Sequence, residues 1–139
     1  MEFKEKDGIV IVRLFPGEEL QTSLKEVCAK LGGETYAVVS CIGQVKDVEI
    51  GYFIGKGDFS PETFPGPLEL LNVSGIVSRD GESYFPHLHA LLGIRDKRCL
   101  GGHLIKATVS ITAEIVLLSS SIRVRREYNP DLDARELRI

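Results

Sequence analysis

Only one stretch of this sequence repeats its apolar residues at helical spacing. Leu20, Leu24, Val27, Cys28 and Leu31 recur every three or four positions, which makes a single apolar stripe. Glu18 and Glu19 stand where a helix dipole favours negative charge, Lys30 falls in the last turn, and Gly32-Gly33 supplies a stop. These signals predict one helix over residues 19–31. Elsewhere the period is two, or the residues are continuously β-branched and apolar. A chain with one helix and many strands is α+β, mainly antiparallel sheet with the helix packed on it.

The strands can be placed from their punctuation. Gly8 to Phe15 reads as a first strand closed by Pro16-Gly17. Thr35 to Ile42 is nearly all apolar, as expected of a central strand, and Val45 to Ile54 alternates after a turn or bulge at Gly43. Lys56 to Pro67 is a long irregular stretch rich in proline and glycine, the kind of loop that usually carries function or moves. Leu68 to Ser78 and Ser83 to Arg95 form a hairpin about Asp80-Gly81. Lys106 to Val124 makes one long strand or two with a bend, and Asn129 to Ile139 reads as a polar tail with the character of a frayed helix. No repeat or linker divides the chain, so residues 1–139 are expected to form a single domain.

Composition narrows the function classes. Hydrophobic residues make up 43% and charged residues 27%, and the apolar runs are too short to span a bilayer. No basic segment followed by an apolar one opens the sequence, so no secretory leader is expected. Cys28, Cys41 and Cys99 are odd in number and far apart, which fits a reducing cytoplasm and buried thiols instead of a disulfide framework. Two glutamines and two asparagines, Gln21, Gln44, Asn72 and Asn129, are a low amide content of the thermophile kind. The net charge of −3 argues against a protein that coats phosphate backbones. Arg123 to Arg126 is the one basic run, and the acidic neighbours Glu127, Asp131 and Asp133 mark it as a solvated strand end.

The chemistry concentrates in the histidines. All three lie close together, as His87-Leu88-His89 and then Gly101-Gly102-His103. In an extended strand alternate side chains share a face, so His87 and His89 converge while Leu88 points away. Three neutral imidazoles suit zinc or a similar divalent ion and leave one coordination position open. Gly101 and Gly102, without Cβ atoms, let the backbone come close to the histidine-bearing strand, although an ordinary turn would use them equally well.

Several of these segments, in order, resemble the plants and prokaryotes conserved (PPC) domain, stand-alone prokaryotic type. They are Arg13-Leu14, Gly17-Glu18, Ser40-Cys41-Ile42-Gly43-Gln44-Val45, the run from Gly66 to Gly75, Pro86-His87-Leu88-His89, Gly101-Gly102-His103 and Thr112-Ala113-Glu114-Ile115. The resemblance implies an antiparallel sheet of about seven strands with one or two flanking helices. It further implies a homotrimer and a metal-binding unit built on His87, His89 and His103. Plant members carry the domain after AT-hook motifs, hence a DNA-binding label for the family. This sequence has no Arg-Gly-Arg-Pro hook, and with its net charge we expect no tight duplex binding.

The carboxylates offer candidate partners for the histidines. Glu114 follows His103 in the apolar context Ala113-Glu114-Ile115, and is a candidate catalytic residue as ligand, as partner of an imidazole or as general base. A strand-edge carboxylate paired with Arg or Lys is the equal alternative. Glu69 and Arg13 are weaker candidates. Two functions follow. One is a homotrimeric metal-binding protein, with zinc the favoured ion, whose three-histidine site is open to a small ligand or substrate. The other is an oligomeric interaction or DNA-associated regulatory module in which the metal is structural.

Overall fold

The helix-period segment folds as α1 (Leu20–Leu31) in the computed structural model, which describes residues 1–139. Its cap is Glu19, whose carboxylate accepts hydrogen bonds from the backbone N–H groups of Gln21 and Thr22. At the other end Gly32 takes a left-handed conformation, φ 76°, and donates its N–H to the Cys28 carbonyl. Leu20, Leu24, Val27 and Cys28 are fully buried against the sheet.

Nine strands make up the rest of the fold: β1 (Glu2–Lys6), β2 (Ile9–Leu14), β3 (Thr35–Gly51), β4 (Glu62–Phe64), β5 (Leu68–Asp80), β6 (Ser83–Gly93), β7 (Cys99–Ser120), β8 (Arg125–Asn129) and β9 (Ala134–Arg138). The first seven form an antiparallel sheet in the order β1-β2-β7-β6-β5-β3-β4. Strand β3 also pairs with β7, from Thr35↔Ser120 to Gly51↔His103. That second pairing closes β7, β6, β5 and β3 into a ring, which removes their free edges and encloses a continuous apolar core. Register shifts in β3 at Val38/Ser40, Gly43/Val45 and Lys46/Glu49 allow one long strand to curve around the ring. No helix is long and apolar enough to cross a membrane.

The antiparallel α+β architecture matches the sequence reading, with one helix where one or two were expected. The details depart from it in instructive ways. Glu2–Lys6 forms an edge strand that its alternating charge had hidden, and the two strands expected on either side of Gly43 are a single strand. The stretch after His103 is continuous with the strand before it, so β7 begins at Cys99 and ends at Ser120. The C-terminal segment is a β-hairpin, β8–β9, and has no helix. Its Asn129↔Ala134 pairing, closed by a turn through Asp133 at φ 52°, satisfies the backbone across strands instead of along one.

Candidate metal centre

Strand β6 sets the first two histidines. Leu88 is fully buried in the core, so the strand period turns His87 and His89 together to the opposite face. Strand β7 brings the third, with His103 directly across from His89 in the register. One ligand-capable atom from each imidazole lies within 4.8 Å of the others, and the ring centroids are 5.2–5.5 Å apart.

The glycines make this convergence possible. A Cβ on Gly101 would lie 2.5 Å from the Ala90 carbonyl oxygen, and one on Gly102 would lie 2.5 Å from that of Gly51. Both contacts are with backbone, so neither neighbour can swing aside. Gly75 has the same role on the other side of β6, where a Cβ would overlap the His87 carbonyl. Of the two readings open for Gly101-Gly102, a close approach and an ordinary turn, the structure shows the close approach. Gly75 was missed because its relation to His87 exists only once β5 and β6 are in register.

Electrostatics prepares the rings for ligation. Burial, reinforced by the charge of Arg126 and by the neighbouring imidazoles, pushes the His87 pKa down to about 4. Burial and then His89 lower that of His103 as well. Both rings are therefore neutral near pH 7, the form that binds a metal.

Two cavities meet at the histidines. One, of about 620 Å³, is polar and carries Ser74, Arg126, Glu136 and Arg138. The other, of about 830 Å³, has an aromatic wall of Tyr52, Phe53, Phe59 and Phe85. His87, His89 and Arg135 line both. The β8–β9 hairpin forms one side of each cavity. It is fastened by Arg135, which donates to both carboxylate oxygens of Asp80 at 2.7 and 3.1 Å, and by the Gly57 N–H, which donates to the Leu132 carbonyl. The Phe59 ring lies 5.5 Å from the His103 ring, and the guanidinium carbons of Arg126 and Arg135 lie 5.4 and 5.1 Å from the Phe85 centroid. Sequence reading missed Arg126, because a basic run reads as solvated surface.

The carboxylate candidates fall elsewhere. Glu114 lies eleven residues beyond His103 along the same strand, a contour length of roughly 35 Å. It is exposed, since Ala113 and Ile115 take the buried face, and it stands between Arg13 on β2 and Ile42 on β3. Glu69 accepts a hydrogen bond from Gln44 at 2.9 Å and lines a separate cavity of about 470 Å³ together with Glu114. The fold therefore does not bring Glu114, Glu69 or Arg13 to the histidines. The apolar neighbours of Glu114 belong to the alternation of a half-buried strand and did not signal a buried charge.

The donor set fits a metal ion. Zinc with Zn–N near 2.0–2.1 Å and tetrahedral geometry needs nitrogens roughly 3.4 Å apart, and the ligand atoms here all lie within 4.8 Å of one another. Three imidazoles leave one position for something else.

The sequence profile of the Plants and Prokaryotes Conserved (PCC) domain matches residues 1–121. The chain belongs to this family. Among solved structures, the PCC fold of this chain is similar to a metal-containing protein from Archaeoglobus fulgidus, with TM-score 0.82, 29% identity, and 97% of this chain and 95% of that one covered. A plant- and prokaryote-conserved protein from Pyrococcus horikoshii matches with TM-score 0.82 and 28% identity over 97% of this chain and 93% of the other. A proposed DNA-binding protein from Bacteroides thetaiotaomicron matches with TM-score 0.91 and 28% identity over 99% and 96%. The bifunctional protein GlmU of a Synechococcus strain is 30% identical over 130 residues, 92% of this chain and 20% of that protein. The chain thus spans about a fifth of the length of the curated relatives it matches. The PCC match ends before β8, so the hairpin beside the histidines comes from outside the matched region.

Proposed function

We propose that this PCC domain is a metal-dependent binding or catalytic protein in which His87, His89 and His103 hold one divalent ion, with zinc the first choice. The convergence of three imidazoles at the junction of two cavities carries the reading. The metal-containing Archaeoglobus protein of the same fold supports it. The ion is not a staple, because the buried core excludes all three histidines and a domain of this length closes without one. When bound, it supplies Lewis acidity at an open coordination position.

The active form is a homotrimer. Ile9, Ile11 and Leu118 stand exposed on paired strands, with Val39, Ile42 and Ile111 exposed on β3 and β7, an apolar face suited to an interface. The nucleic-acid reading, raised by the Bacteroides relative, ranks second. Arg123 and Arg125 are occupied by Glu34 and Glu127, and the net charge is −3.

Elemental analysis after zinc loading and dialysis tests the metal, with one ion per chain expected and none from His89→Ala. Metal-free protein after loading would overturn the proposal. Light scattering should return three chains per particle, and a stable monomer would remove the trimer.

A further inference from the structure

Arg126 is the one arginine beside the histidines whose charge has no carboxylate partner. Arg135 is held by Asp80 and Arg138 by Glu136 and Glu127, whereas Arg126 makes no ion pair. Its Nε is enclosed and has no hydrogen-bond acceptor. A half-buried guanidinium without a counter-charge is unfavourable, and an anion in the adjoining cavity supplies one. The same side chain lines the polar cavity next to His87 and His89.

The two cavities then describe the two ends of a molecule. The polar one offers the guanidinium of Arg126, which lies over Phe85, and the aromatic one offers Phe59 against the His103 ring with Phe53 beside it. Their volumes are in the range that small organic ligands occupy. This single guanidinium suits a monoanion, and its planar fork matches a carboxylate. Glu136 and Asp133, on the walls of the two cavities, oppose a doubly charged group.

We propose that the centre takes a small organic carboxylate, bound through its charged end by Arg126 beside the histidines and through an apolar or aromatic body by Phe53, Phe59 and Phe85. The assignment rests on the histidines being the working centre, and it names the chemical class of the ligand.

Calorimetric titration of the zinc-loaded and the chelator-treated protein with phenylacetate, phenylacetamide and phenyl phosphate tests it. Phenylacetate should bind about tenfold or more tighter than the neutral amide. Arg126→Gln should erase that difference by weakening phenylacetate alone, and Arg126→Lys should restore part of it. Equal binding of acid and amide, or an Arg126→Gln variant that binds phenylacetate like the parent, overturns the inference even if zinc is bound at one ion per chain. Phenyl phosphate binding tighter than phenylacetate overturns the carboxylate in favour of a phosphate. If no zinc is taken up but phenylacetate still binds in an Arg126-dependent way, the carboxylate site stands and the metal reading falls.

Discussion

Gly102→Ala offers a sharp test of how the centre is built. The added Cβ would lie 2.5 Å from the Gly51 carbonyl oxygen, where ordinary contact begins at 3.4 Å, so 3.4 minus 2.5 leaves 0.9 Å to be found by moving backbone. Gly51 is the β3 partner of His103, so the displacement falls on the residue pair that carries the third imidazole. Overpacking of this kind costs about 1–3 kcal/mol, which lowers Tm by roughly 3–12 °C for a domain of this size. Metal–ligand distances tolerate only about 0.2 Å, so zinc affinity should fall about tenfold or more. Scanning calorimetry on chelated protein gives the first quantity, and competition with a chromophoric chelator gives the second. Gly55→Ala, where a Cβ would meet nothing within 4 Å, is the control and should change neither. If Gly102→Ala keeps the parental Tm and zinc affinity, the close approach of β3 and β7 does not position His103.

Three further outcomes are expected. His89→Ala, at the exposed histidine, should lower zinc affinity about 100-fold or more while the circular dichroism and the chelated-protein Tm stay near parental values. Leu88→Ala should do the reverse: truncating a fully buried leucine costs about 2–5 kcal/mol in chemical denaturation, while the folded fraction still takes up one ion. Chelated protein should lose stability on acidification between pH 6.5 and about 4. There His87 stays neutral in the fold while the unfolded chain takes up a proton, and the lowered His103 acts in the same sense. With allowance for solvent screening the loss from His87 is about 1–2 kcal/mol. A denaturation midpoint that rises over that interval would contradict the burial assigned to His87.

Much of this was legible in local pattern. The stripe from Leu20 to Leu31 gave the helix, the Asp80-Gly81 pair gave the β5–β6 turn, and the His-x-His register gave the shared face, since each depends only on near neighbours. What escaped depends on pairing across the sheet. Glu2–Lys6 reads as charged surface until β2 lies beside it, and Gly75 is an unremarkable strand glycine until His87 lies across from it. Arg126 belongs to a basic run until the hairpin turns its side chain towards Phe85, and Glu114 attracts notice only while its outward orientation is unknown.

The ring closure also loads the largest loop-closure costs onto two pairings. Ile9 must find Leu118 and Thr35 must find Ser120, so the β2–β7 and β3–β7 pairings are among the most distant in the chain and the slowest to form. The histidines lie at the opposite extreme, on a single β6–β7 hairpin whose pairing runs only from His89↔His103 to Gly93↔Cys99. The centre is a local feature of a non-local fold. If that hairpin pairs first, metal present during folding would meet all three histidines before the ring closes. Because any such affinity for the incomplete chain is subtracted from the gain on folding, bound metal would then raise the equilibrium stability by less than its affinity for the native protein implies.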